Sequence, residues 1–162
     1  MRARTTAVLT VLVTMLLGVV AVPASASTPV GGQPIISGGV NSHCTGSLLA
    51  TEKIGTLSQG GGQQVGHIKV YYSSANNGTN CVQVFTDIGG PRHIRADLYI
   101  ASSGNDTTAQ IAAHFRDDGN YSHYAGGVYA MGTNGRCISW RGTVWNGGHP
   151  YYNQSWSWVF CG

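Results

Sequence analysis

The chain has 162 residues, 42% of them apolar and only 9% charged, with a formal net charge of +3. Two of its nine basic residues, Arg2 and Arg4, lie in the export signal described next; without them seven basic residues face six acidic ones, a charge of about +1. So small a charge gives no electrostatic footprint for a nucleic-acid or anionic-membrane partner, and none is expected.

Arg2 and Arg4 precede an apolar run over residues 7–22, and Pro23 leads into Ala24-Ser25-Ala26, the small-x-small pattern of a signal peptidase site. Residues 1–26 therefore read as a signal peptide. No later run approaches the ~20 apolar residues of a membrane span, so a secreted, extracellular product is expected. About 136 residues remain, enough for one domain that buries roughly two-thirds of its unfolded surface. Few charges, many Gly, Asn, Ser and Thr, and numerous Tyr and Trp point to an all-β fold: a single compact antiparallel β-sandwich or barrel-like domain of about seven strands.

Residues 27–42, rich in Pro and Gly and without an apolar period, read as a flexible lead-in, and the disulfide-linked β domain is assigned to 43–162. The stretch "IISGGVNSHCTGSLLA" at 35–50 has the look of a trypsin-like protease start. That chemistry needs a nucleophile in a Gly-rich loop, a His base and a buried Asp, and neither Gly-Asp-Ser-Gly-Gly nor Gly-x-Ser-x-Gly occurs. The run "GGGQQ" at 60–64 is a loop. From Val65 a two-residue period sets in: Ile68, Val70, Tyr72; Val82, Val84; Ile94, Ala96, Leu98, Ile100; Ala109, Ile111, Ala113, Phe115; Ile138, Trp140; Trp156, Trp158, Phe160. These sets are the expected core.

Turn residues suggest partners. A two-residue turn at Asn77-Gly78 would put Ile68 and Val70 on the wrong face, so a longer loop over 75–79 is preferred, pairing Tyr72 with Val82 and Val70 with Val84. Asp118-Gly119 and Asn134-Gly135 read as two-residue hairpin turns. The first would set His114 opposite His123, a weak candidate metal pair on a solvent face. The second would set Tyr129 opposite Trp140. Cys44, Cys81, Cys137 and Cys161 are an even set without Cys-x-x-Cys, which in an exported chain reads as two disulfides with three alternative pairings. Placing Cys137 opposite Cys161 sets Trp140 against Trp158 with a loop over 146–152; the core alternation agrees, which supports Cys137–Cys161 and leaves Cys44–Cys81. Tyr129, Trp140 and Trp158 would then form an aromatic ladder across three strands.

Chemical constellations are thin. Asp117 and Asp118 are the only adjacent acids and fall in a turn signal, Glu52 is the sole glutamate, and the Gln-x-Trp at 154–156 is a single copy of a ricin-type sugar-binding signature. Four Asn-x-Ser/Thr sequons begin at Asn77, Asn105, Asn120 and Asn153. No catalytic residue, cofactor or metal is assigned.

The runs "VYYSSANNGTNCV", "DDGNYSHYAGGVYA" and "GRCISWRGTVW", with the closing "CG", resemble the spore-associated protein A family of small secreted proteins from filamentous spore-forming bacteria. The likeness covers most of 65–162, with Cys44 as the counterpart of the family's first cysteine. It implies a protein at the spore or cell surface and brings no catalytic motif. The expectation is thus a non-catalytic, surface-associated protein, whose partner is the envelope. The alternative is a carbohydrate-binding module for envelope or extracellular polysaccharide, with exposed Tyr and Trp stacking on sugar rings.

Overall fold

The computed structural model describes residues 35–55, 62–105 and 107–161. The signal peptide and the first part of the lead-in lie outside these residues, as do the first two residues of the "GGGQQ" run; its last, Gln64, opens a strand. Nine strands are present among the described residues: β1 (Ser37–Asn41), β2 (Ser47–Gly55), β3 (Gln64–Ser73), β4 (Thr79–Thr86), β5 (Arg92–Ala101), β6 (Ile111–Tyr121), β7 (Tyr124–Met131), β8 (Ile138–Asn146) and β9 (His149–Gln154). They form two antiparallel sheets, β1-β7-β4-β3-β2 and β6-β5-β8-β9. The all-β sandwich expected from composition is therefore the fold, with nine strands instead of seven. No helix among the described residues is long and apolar enough to cross a membrane.

The core lies between the sheets. Ile68, Val70, Val82, Val84 and Val128 from the larger sheet meet Ile94, Leu98, Ile100, Ile138 and Val144 from the smaller one, all fully buried. The two-residue period of β3, β4 and β5 selects these side chains, because alternate residues of a strand share a face. The sheets approach closely at Gly142 of β8, where an added Cβ would lie 2.5 Å from Ile68 Cγ1. Only glycine fits there. Six residues expected in the core are outside it: Ile111, Trp156 and Phe160 are 61%, 82% and 40% exposed, and Tyr72, Ala109 and Trp158 are only partly buried and do not join the core cluster.

The observed pairings correct several expected registers. β3 and β4 pair Val70 with Val82 and Ile68 with Val84; the loop has five residues, as expected, but starts one residue earlier. Asn76, Asn77 and Gly78 all have positive φ, 55°, 57° and 85°, which a two-residue turn could not accommodate. Asp118-Gly119 makes no turn: β6 runs through it to Tyr121, paired throughout with β5. Asn134-Gly135 is a turn, closed by the Arg136 N–H donating to Thr133 O (3.1 Å), but only Gly135 has positive φ. The type I′ hairpin that Asn-Gly favours requires positive φ at both central residues, and here the chain leaves the larger sheet for the smaller. That requirement is met at Gly147 (59°) and Gly148 (81°), which join β8 to β9 as a hairpin with Asn146 opposite His149. The lead-in also ends early, since β1 lies within 27–42, pairs with β7 from Ser37 to Asn41, and is preceded by the buried Ile36.

Both disulfides are present, Cys44–Cys81 and Cys137–Cys161. The first ties the segment after β1 to β4; the second clamps the C-terminal tail to the start of β8, and two closed loops of this kind are compatible with an extracellular protein. The sheet edges are closed by side chains. Asn153 of β9 donates to Lys53 O of β2 (2.9 Å), and at the opposite edge Asp117 of β6 accepts from the Gly126 N–H of β7 (2.6 Å) and from the Tyr121 phenol (2.5 Å).

That last contact has a titration signature. Chiefly the hydrogen bond to Asp117, and secondarily burial, push the Tyr121 phenol up to about 12. An unfolded tyrosine ionises near 10, so between pH ~10 and ~12 the unfolded chain loses a proton that the folded one keeps, and stability falls with rising pH across that window. Ultraviolet titration of the phenolates should show one late tyrosine, which Asp117→Asn moves back toward 10. A full complement of tyrosines titrating together near 10 would contradict the contact.

Candidate functional site

The outer face of the four-stranded sheet concentrates the charged and aromatic side chains. Because Ile94, Ala96, Leu98 and Ile100 of β5 point into the core, His93, Arg95, Asp97 and Tyr99 point away from it. Register places Arg116 and Arg141 on either side of Asp97, with Gln154 beyond Arg141. Asp118, Arg95, Thr143 and Tyr152 form the adjacent row, and His114, Tyr99 and Ser139 lie on the other side.

Asp97 is fully buried although it stands on an outer face. Two guanidinium groups and an imidazole cover it. Oδ1 accepts from Arg116 Nε (2.7 Å) and His114 Nε2 (2.9 Å), while Oδ2 lies 3.1 Å from Arg95 Nε without an aligned hydrogen bond. The hydrogen bond to Asp97 outweighs partial burial and raises Arg116 above its already high value. Rings fix the geometry further: His114 stacks on Tyr99 at 4.3 Å, His93 on Trp145 at 4.1 Å, and Arg141 lies 4.3 Å over Tyr152. Arg141 forms no ion pair among the described residues. Its Nε and the hydroxyl of Thr143 are both buried without a hydrogen-bond partner.

A cleft of about 590 Å³ continues this face past the end of β9. After Gln154 pairs with Arg141, the next bridge joins Val159 to Ile138. Two residues of β8, Ser139 and Trp140, thus oppose four in the tail, 155–158, and the surplus bulges outward. Ser155 anchors the bulge by accepting from the Trp140 N–H (3.1 Å) and donating to Ser139 (2.9 Å). Trp158 donates to Ala109 O (3.1 Å). Trp156 stands on the rim, 82% exposed, and the lining includes Tyr99, Ile111, Arg141 and Gln154.

The comparisons with known proteins are silent: no family model, curated protein or solved structure matches the chain.

The residues singled out from sequence are redistributed. Tyr129 sits in the larger sheet opposite Cys81 and Gly39, while Trp140 belongs to the smaller sheet opposite Leu98, so the three-strand ladder does not form. Trp140 and Trp158 both line the cleft. His114 and His123 are not a pair. His114 faces Tyr99, and His123 lies beyond the far end of β6, roughly 30 Å further along an extended chain. Among the described residues no group of three or more His, Cys, Asp or Glu could hold a metal ion. Asp97 with its arginines was missed because the alternation of "RHIRADLYI" was read for its apolar half alone; the polar half carried the signal.

An Asp–His pair invites comparison with a nucleophilic triad. Ser139 is in the same row as His114, but Tyr99 stands between them. Two strand spacings, roughly 9 to 10 Å, separate positions that proton transfer requires at about 3 Å. The arrangement can bind; its polar groups are not placed to relay a proton to that hydroxyl.

Proposed function

We propose that the protein is a secreted, non-catalytic, surface-associated domain that adheres to polysaccharide of the spore or cell envelope through the outer face of its four-stranded sheet. The resemblance to the spore-associated protein A family favours the location. The binding mode rests on one observation: Trp156, 82% exposed, borders a cleft lined by Tyr99, Gln154 and Arg141. Leaving so large an apolar ring in water forgoes the burial that an aromatic side chain usually contributes. A sugar ring stacked on the indole would cover it, and the amide and guanidinium beside it match sugar hydroxyls. Open sheet faces with few deep cavities suit extended chains better than small molecules.

Retention of the mature protein on insoluble chitin, cellulose and peptidoglycan tests the reading. At least one matrix is expected to hold the protein until free oligosaccharide releases it, and Trp156→Ala should weaken retention about tenfold or more, as for an aromatic anchor at the centre of an interface. Passage through all three matrices, or retention that ignores Trp156, would overturn it.

A further inference from the structure

We propose that the same face carries a built site for carboxylate groups, so that the preferred ligand is an acidic, uronate-type polysaccharide. The inference rests on the polysaccharide reading above and adds the charge of the ligand to it. Two guanidinium groups, Arg95 and Arg116, contact Asp97, and a third arginine, Arg141, stands across from it in the register. Each can donate five hydrogen bonds, and the two oxygens of Asp97 can occupy only a few. Arg95 and Arg116 are held by that carboxylate. Arg141, placed directly across from it by register, has no ion pair among the described residues and is supported from one side by the Tyr152 ring.

Two polar groups beside it are unsatisfied. Arg141 Nε is buried without a partner, and so is the hydroxyl of Thr143, a residue only 1% exposed, two positions further along the same face of β8. Buried donors of this kind are ordinarily satisfied, and a carboxylate seated on the remaining nitrogens of the Arg141 guanidinium would compensate the charge that no described residue of this face pairs. A planar carboxylate matches the fork of a guanidinium better than a hydroxyl does. The small excess of cations over Asp97 and Asp118 on this face suits sparse negative charge, one carboxylate per sugar, and not the dense charge of a nucleic acid. Arg141 also lines the Trp156 cleft. One chain could therefore stack on the indole and present its carboxylate to the arginine.

The test compares polygalacturonate, its methyl-esterified form, linear polyphosphate and neutral β-glucan by affinity electrophoresis of the mature protein. Polygalacturonate is expected to bind about tenfold or more tightly than its ester, weakening with salt. Arg141→Gln should abolish that preference, lowering the binding of polygalacturonate to that of its ester, while neutral glycan is still retained in a Trp156-dependent way and the melting temperature is unchanged; Arg141→Lys should restore only part of the preference. Equal binding of acid and ester with Trp156-dependent retention on a neutral matrix would overturn the carboxylate site and leave the polysaccharide reading standing. Absence of binding to every glycan would overturn both. Polyphosphate bound more tightly than polygalacturonate, or a preference intact in Arg141→Gln, would equally overturn the assignment.

Discussion

Trp140→Ala is expected to destabilise the domain by about 3 to 5 kcal/mol, whereas Trp156→Ala, the same substitution 16 residues later, should change stability by less than ~0.5 kcal/mol. Trp140 is 5% exposed, packed into the core between the sheets and paired with Leu98. Truncating it removes the transfer free energy of the indole and leaves a cavity between two sheets whose ladders hold the backbone in place. One contribution runs the other way: the indole N–H is buried without a partner, so removing it relieves an unpaid desolvation of about 1 kcal/mol or more. Trp140→Phe, which discards the N–H but keeps most of the ring, should therefore be milder than the alanine variant, within about 1.5 kcal/mol of wild type. Urea unfolding under non-reducing conditions measures all three. A Trp140→Ala protein that melts within a degree or two of wild type would place that side chain in solvent.

The two tryptophans also show what the sequence could and could not reveal. Faces were legible because burial follows a strand's own period: Ile68, Val70, Val82, Val84, Ile94, Leu98 and Ile100 alternate within uninterrupted ladders and are all buried. Trp156 obeys the same period but sits where the ladder is broken by two surplus residues, and there alternation loses its meaning. Partners were much less legible. Asp118-Gly119 has the composition of a hairpin turn, yet Asp117 turns inward to hold Gly126 and Tyr121 while Asp118 turns outward to His93 (2.5 Å), and these contacts keep the strand straight. Such hydrogen bonds reach 9 and 25 residues along the chain, beyond the reach of any local rule. Cys137–Cys161 was recovered although the register used to support it was wrong: a disulfide fixes the proximity of two residues, not the pairing of everything between them. Treating it as a register pin hid the Gly147-Gly148 hairpin. The site suffered most, since Arg95, Asp97, Arg116 and Arg141 come from three strands whose adjacency only the sheet order supplies.

Replacing Asp97 by alanine is the second large effect expected, about 2 to 3 kcal/mol of stability at low salt. Removing one member of a buried ion cluster typically costs about 3 to 5 kcal/mol, because the remaining charges lose their compensation. Here the penalty is moderated by water: the Arg116 side chain is 44% exposed, that of His114 32% and that of Arg95 22%, so each can be partly resolvated. What remains is mutual repulsion between Arg95, Arg116 and Arg141, gathered on three neighbouring strands around an empty centre. Repulsion between partly exposed charges is screened by salt, so the deficit of Asp97→Ala should shrink as ionic strength rises, while that of Trp140→Ala should not. Adding Arg116→Gln to Asp97→Ala should recover part of the loss, a coupling that a double-mutant cycle measures directly. If the single variant were as stable as wild type at low salt, the guanidinium groups would be held apart by solvent alone. Asp97 would then have no part in arranging the face on which the carboxylate site depends.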